Sequence, residues 1–133
     1  MVTPRTTWLF RPNIEGLPRE GVLSIEDGAL KFAGANGRDW EVDLAKIVRA
    51  KRLRATPVLQ LAYRRDNERW VAFIYFAAPP EQVGAWRGTP ISRAERSGRR
   101  RAFGFLNERN KDLLEPLREW VAAIREGAGR AQD

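Results

Sequence analysis

Residues 57–78, PVLQLAYRRDNERWVAFIYFAA, hold the densest apolar run of the chain. Side chains alternate across a β-strand, and Leu59, Leu61 and Tyr63 share one parity, which predicts a strand with one buried face. The polar run RDNE that follows predicts a turn. Residues 69–77 are apolar at both parities and rich in β-branched and aromatic side chains, which favours a strand covered on both faces. The stretch therefore predicts a central β-hairpin.

The segment before this hairpin carries the same alternating pattern in shorter runs from Gly21 onward. Asp27-Gly28 lies between two such runs and predicts a tight hairpin turn, because both residues of that turn take positive φ. The alternation breaks at 44–47, which indicates a bend or a bulge. With the central hairpin, six strands are predicted between residues 21 and 77. Their short connections favour antiparallel neighbours in a barrel or sandwich.

The first residues, 1–19, contain three prolines and predict an irregular lead-in, with one short added strand as the alternative. Its Trp8 and Phe10 are expected to tuck against the aromatic face of the second hairpin strand. That face consists of Trp70, Ile74 and Phe76. We expect it to be core beneath the lead-in, and a dimer interface is the alternative.

The alternation stops at Pro80, so residues 78–109 predict a loop, with a last strand at 101–106. The final element is an amphipathic helix over 112–126, because apolar residues there recur at helical spacing. They are Leu113, Leu117, Trp120 and Ile124. Gly127 is expected to end the helix, and the tail 128–133 is expected to fray.

Composition limits the chemistry. The 133 residues predict a single domain, 1–133, and 43% hydrophobic residues are enough for one core. The chain has no cysteine and no histidine, which removes the commonest nucleophile–base pairs and metal ligands. We therefore expect no enzyme activity, no catalytic residue, no metal site and no cofactor. No apolar run is as long as a membrane span, and residues 1–13 lack a signal-peptide core, so the expected location is cytoplasmic, with a peripheral membrane position as an option.

The net charge of +7 is concentrated in two segments. Residues 46–54 carry five basic residues and no acid, and residues 87–101 carry six arginines against one glutamate. The candidate binding residues are Arg49, Lys51, Arg52 and Arg54 in the first segment, and Arg87, Arg93, Arg96, Arg99, Arg100 and Arg101 in the second. The first segment is either a phosphate-binding surface or an edge strand protected by its charge. The second is either a solvated linker or a segment ordered by an anionic partner.

Three stretches resemble the bacterial pleckstrin-homology-like and GRAM-like group: GVLSIEDGALKFAG at 21–34, WEVDLAKIVRAKR at 40–52 and LLEPLREWVAAI at 113–124. The resemblance spans residues 20–126. It implies a mainly β fold, an antiparallel barrel of six or seven strands capped by a C-terminal helix, with Trp120 filling one open end. Some members bind phosphoinositides around the loop that joins their first two strands. That loop is expected here at Asp27-Gly28, where Lys31 is the one nearby cation, so no lipid-binding residue is carried over.

The expected function is a non-catalytic interaction module whose basic rim binds a protein or an anionic membrane surface. The alternative is a nucleic-acid-binding protein that uses the arginine-rich loop 87–101. A further option is a structural domain that acts by forming a homodimer.

Overall fold

The computed structural model describes residues 2–12, 14, 16–35, 37–53, 57–78 and 111–132, and in this part of the chain seven strands form one antiparallel sheet. The strands are β1 (Arg5–Phe10), β2 (Arg19–Glu26), β3 (Ala29–Gly34), β4 (Trp40–Asp43), β5 (Ile47–Arg52), β6 (Val58–Arg65) and β7 (Glu68–Tyr75). Their order across the sheet is β4-β3-β2-β1-β7-β6-β5. A 3₁₀ turn at Lys111–Leu113 leads into one helix, α1 (Leu114–Gln132). The predicted mainly β fold with a C-terminal helix is confirmed.

The two tight turns form as their residues predict. Arg65 pairs with Glu68 across β6 and β7, which leaves Asp66 and Asn67 as a two-residue turn with φ of 53° and 66°. Asp27 and Gly28 turn β2 into β3 with φ of 53° and 75°. Aspartate, asparagine and glycine tolerate this left-handed backbone best, so both hairpins have the turn chemistry they need.

The chain leaves the first half of the sheet at a corner between β4 and β5. A 3₁₀ turn at Leu44–Lys46 and a register shift between Ile47 and Arg49 account for the predicted break in alternation. β4 and β5 are the two edges of the sheet, and no ladder joins them in the described residues. Within the described part of the chain, the sheet is therefore open at this corner and does not close into a barrel.

The main core lies between the concave side of the sheet and α1. Leu59, Leu61 and Tyr63 are buried there, as their parity predicts. Trp120 is 2% exposed and meets Phe76 edge to face, with ring centroids 6.3 Å apart. The helix packs on the β4–β5 corner and on β5. The prediction that Trp120 is buried against the sheet is confirmed.

The lead-in contains the short added strand that was the alternative prediction, and the expected irregular segment is wrong for residues 5–10. Residues 5–10 form β1, which pairs with β2 on one side and with β7 on the other, and so lies in the middle of the sheet. The reason lies in its residues: RTTWLF is rich in β-branched and aromatic side chains, and Pro4 and Pro12 bracket this run without interrupting it.

The partners predicted for Trp8 and Phe10 are wrong. Leu9, not its neighbours, is opposite Ile74 and shares the core face. Trp8 and Phe10 point to the other side of the sheet, opposite Tyr75 and Phe73. A second apolar cluster forms there, and its buried members are Phe10, Val58, Tyr75 and Ala77.

The aromatic face of β7 is core, as expected. Ile74 and Phe76 are buried within the single chain, and Trp70 is partly buried against the same core cluster. Ile74 and Phe76 are therefore not available as the dimer interface that was the alternative for this face.

The helix runs past its predicted end. Gly127 does not stop α1, which continues to Gln132 and includes most of the expected tail. Gly127 has a packing role instead, because a Cβ at this position would lie 2.3 Å from Leu44 Cδ1. The bulk of the predicted loop 78–109 and the predicted strand at 101–106 lie outside the described residues. No helix in the described part of the chain is both long and apolar enough to cross a bilayer.

Candidate functional site

The sequence-predicted binding residues divide into two groups. Arg49, Lys51 and Arg52 lie on β5, and β5 is an edge of the sheet, as the structural interpretation of this segment requires. Outside the described residues lie Arg54, Arg87, Arg93, Arg96, Arg99, Arg100 and Arg101. A role for the second group stays a prediction.

At each edge of the sheet, an arginine side chain from another element donates a hydrogen bond to a backbone carbonyl oxygen. Arg125 of α1 donates from Nε to the carbonyl oxygen of Ala50 on β5, at 2.9 Å. Arg65 donates from Nη2 to the carbonyl oxygen of Glu41 on β4, at 2.7 Å. Unpaired edge carbonyls are templates for strand addition, so these side chains protect the edges.

Register places four cations on the convex side of β5, β6 and β7. Arg49 is opposite Ala62, Lys51 is opposite Gln60, and Arg64 is opposite Arg69. Cross-strand partners point to the same side of a sheet, and Leu61 and Tyr63 of β6 occupy the core side, so these residues take the other. We name this surface the basic face, and its members are Arg49, Lys51, Arg64 and Arg69.

The basic face is unbalanced in charge. Arg49, Arg64 and Arg69 are exposed, and Lys51 is half-buried. The side chains of these four residues form no ion pair or hydrogen bond among the described residues. No residue that alternates onto this side of the three strands is acidic. Like charges directly opposite each other destabilise a sheet, and Arg64 and Arg69 are such a pair.

The sequence interpretation missed Arg64 and Arg69 as site residues. The alternation of the first hairpin strand puts Arg64 on the face opposite Tyr63. The two-residue turn at Asp66-Asn67 then sets Arg69 across from Arg64. Combining the turn with the strand parity would have found the pair.

A second basic feature lies at the loop between β1 and β2. This loop spans residues 11–18 and joins the first two strands, so the expectation that Asp27-Gly28 is that loop is wrong; Asp27-Gly28 joins β2 and β3. Ile14 and Leu17 are 48% and 59% exposed on it. Beside them is a depression of about 340 Å³, named here the loop depression. Its lining is Arg11, Ile14, Gly16, Leu17, Arg19, Arg38 and Asp39.

Arg19 is held by the wall of the loop depression. Arg19 donates from Nη1 to the carbonyl oxygen of Arg38 at 2.8 Å, and its guanidinium lies 5.8 Å from the centroid of the Phe32 ring. Asp39, the one carboxylate among the described residues of the lining, accepts a hydrogen bond from the backbone N–H of Gly34 at 3.1 Å. The depression is therefore a shaped cationic surface beside two exposed aliphatic side chains.

Three exposed carboxylates lie near the open corner of the sheet. Glu41, Asp43 and Asp66 line an open groove of about 1240 Å³ between the sheet edges, together with the cations Lys46, Arg64 and Arg65. In the described residues, no three His, Cys, Asp or Glu side chains are grouped so that they could hold a metal ion. The absence of enzyme activity stays a prediction.

Two surfaces of the described chain therefore suit an anion, the basic face and the loop depression. The first is broad and open, and the second combines cations with exposed aliphatic side chains. No family model matches the chain, and no curated protein matches it significantly.

Proposed function

We propose that this chain is a non-catalytic pleckstrin-homology-like interaction module that binds an anionic membrane surface through its loop depression. Support for the fold assignment comes from the strand order and the helix. Strands β1 to β4 form one half of the sheet, β5 to β7 form the other, and β1 pairs with β7. Helix α1 covers the corner where the halves separate, the place that the resemblance gives to the closing helix.

The observation that carries the membrane proposal is the exposure of Ile14 and Leu17 beside three arginines. Among the described residues, four large hydrophobic side chains are exposed, and two of them are in this one loop. Arginine guanidinium groups can contact the anionic headgroups of a membrane. Aliphatic side chains next to them can insert at the boundary between headgroups and acyl chains. Membrane docking by these arginine and aliphatic side chains requires neither a cofactor nor a reacting group.

The expected binding is weak and reversible. Full burial of one leucine or isoleucine contributes about 1.5–3 kcal/mol, and each cation near an anionic leaflet contributes about 1 kcal/mol. Two aliphatic side chains and a few arginines are therefore enough for peripheral docking of a cytoplasmic protein. The cationic part should weaken as salt screens it.

Vesicle sedimentation tests this proposal. The protein should pellet at low salt with phosphatidylcholine vesicles that contain phosphatidylserine, and not with phosphatidylcholine alone. Changing Ile14→Ser and Leu17→Ser together should lower partitioning about a hundredfold or more, because two apolar contacts with the bilayer, each of about 1.5 kcal/mol or more, are lost.

Val22→Ser is the matched control, since Val22 is 43% exposed on β2 and away from the loop. It should pellet like the wild-type protein. Equal pelleting of the double variant and the wild-type protein would remove the loop depression from the proposal. A wild-type protein that stays in the supernatant with anionic vesicles at low salt would remove the membrane function.

The same vesicles test the basic rim predicted at 87–101. A variant with Arg93, Arg99, Arg100 and Arg101 changed to alanine should pellet less than the wild-type protein if these arginines add to docking. If both pellet equally, the rim takes no part in membrane binding.

A further inference from the structure

The basic face lies on the convex side of the sheet and shares no residue with the loop depression. We propose that the basic face binds an extended acidic polypeptide segment of a partner protein, with acidic residues at alternate positions. Its recognition elements are Arg49, Lys51, Arg64 and Arg69. The proposal does not depend on membrane binding.

Spacing on the basic face matches an extended chain. Residues two apart on one strand face the same way and are separated by about 6.6–6.8 Å. Arg49 and Lys51 stand in this relation on β5, and Arg64 lies two residues beyond Ala62, the partner of Arg49. The cations therefore occupy three successive rows. Alternate side chains of an extended peptide repeat with the same period.

The charge of the basic face is a cost to the fold. Arg64 and Arg69 face each other, and no acidic residue of β5, β6 or β7 alternates onto that side. If this face only had to be soluble, a mixture of acidic and basic side chains would give a more stable sheet than basic side chains alone. An acidic segment lying across the pair would neutralise both guanidinium groups, and Arg is the side chain best suited to bind a carboxylate with two donors.

The neighbouring apolar residues favour a polypeptide over a nucleic acid. Single-stranded nucleic acids bind to sheets mainly by stacking bases on several exposed aromatic rings. On the convex side of β7, Phe73 is only half exposed and Tyr75 is buried. Half-buried Val71, opposite Ala62 in the row of Arg49, instead provides a small aliphatic contact on this face.

Fluorescence anisotropy at low salt gives a direct test. One labelled peptide alternates Glu with Thr, and its isomer carries the same residues in one Glu block followed by one Thr block. The alternating peptide should bind more tightly, because only its carboxylates match the rows. Arg49→Glu and the pair Arg64→Glu with Arg69→Glu should each weaken its binding about tenfold or more.

Arg118→Glu is the matched control, because Arg118 is exposed on α1, away from the basic face, and undergoes the same charge change. It should bind the alternating peptide nearly as the wild-type protein does. The variant Ile14→Ser with Leu17→Ser should also retain peptide binding, even though it loses vesicle binding. Loss of one activity is thereby distinguished from loss of the other.

The urea midpoint of unfolding gives a second readout, which does not depend on the labelled peptide. Arg69→Gln should raise the urea midpoint, since it removes a like-charge contact, and should also weaken peptide binding. The proposal is overturned if the two peptides bind equally, if Arg49→Glu behaves like Arg118→Glu, or if oligothymidylate binds more tightly than the alternating peptide.

Discussion

Two glycines of the same helix have opposite surroundings. A Cβ on Gly127 would lie 2.3 Å from Leu44 Cδ1, whereas a Cβ on Gly129 would meet nothing within 4 Å. Helix propensity alone favours alanine at each position by up to about 1 kcal/mol. Only packing separates the two sites.

We expect Gly127→Ala to lower the free energy of unfolding by about 1–2 kcal/mol, because overpacking costs more than the propensity gains. Leu44 is buried at the corner and cannot turn into solvent without leaving the core. Gly129→Ala should leave stability equal or slightly higher. Urea unfolding of both variants measures the difference, and effects of the same sign would show that Gly127 is not a contact residue.

The failure to predict the role of Gly127 has a physical cause. A glycine near the end of an amphipathic pattern usually marks a helix stop, and local sequence carries no information about Leu44, far away in the chain. The alternation of side chains along the strands was more informative than the glycine. It located Leu59, Leu61 and Tyr63 in the core correctly, because strand alternation is a local property of the backbone.

At the scale of single elements, β5 depends on its neighbour for edge protection. Its outer carbonyl at Ala50 is bound by Arg125, a residue 75 positions later in the sequence. The charge on β5 predicted an edge strand, but no local pattern could predict which side chain would bind that edge.

Arg125→Ala should lower the free energy of unfolding by about 1 kcal/mol, as the hydrogen bond to Ala50 is lost. It should also increase self-association at high concentration, since the β5 edge then presents a free carbonyl. Arg118→Ala is the control on the same helix: its partner Glu115 is 3.9 Å away in an exposed pair, and the effect should stay within about 0.5 kcal/mol. Light scattering that shows no difference between the variants would contradict the edge role.

The element that the sequence described least well is β1. Proline content suggested an irregular lead-in, yet Pro4 and Pro12 only bracket the strand. The parity of Trp8 and Phe10 was visible, but their assignment to a face depends on the register against β7, which is a long-range property. The same limit applies to the basic face, since Arg64 and Arg49 come together only through the pairing of β5 with β6.

At the scale of the whole molecule, backbone hydrogen bonds leave the described sheet open at one corner, and side chains of α1 cover that corner. β4 and β5 are not paired in the described residues, and α1 packs on the corner between them. Leu117, Trp120 and Ile124 belong to the same core as residues of both halves of the sheet. The helix and sheet should therefore unfold as one unit.

Replacing Trp120 tests this unity. Trp120→Ala should lower the free energy of unfolding by about 3–5 kcal/mol, the usual range for removing a large buried aromatic side chain. Trp120→Phe should cost clearly less, because a ring can still meet Phe76 edge to face. In urea, helical and sheet circular dichroism signals should disappear together in both variants. The opposite result would be loss of the helical signal of Trp120→Ala at a urea concentration where the sheet signal persists. It would show that the sheet is stable without α1 packed on its open corner.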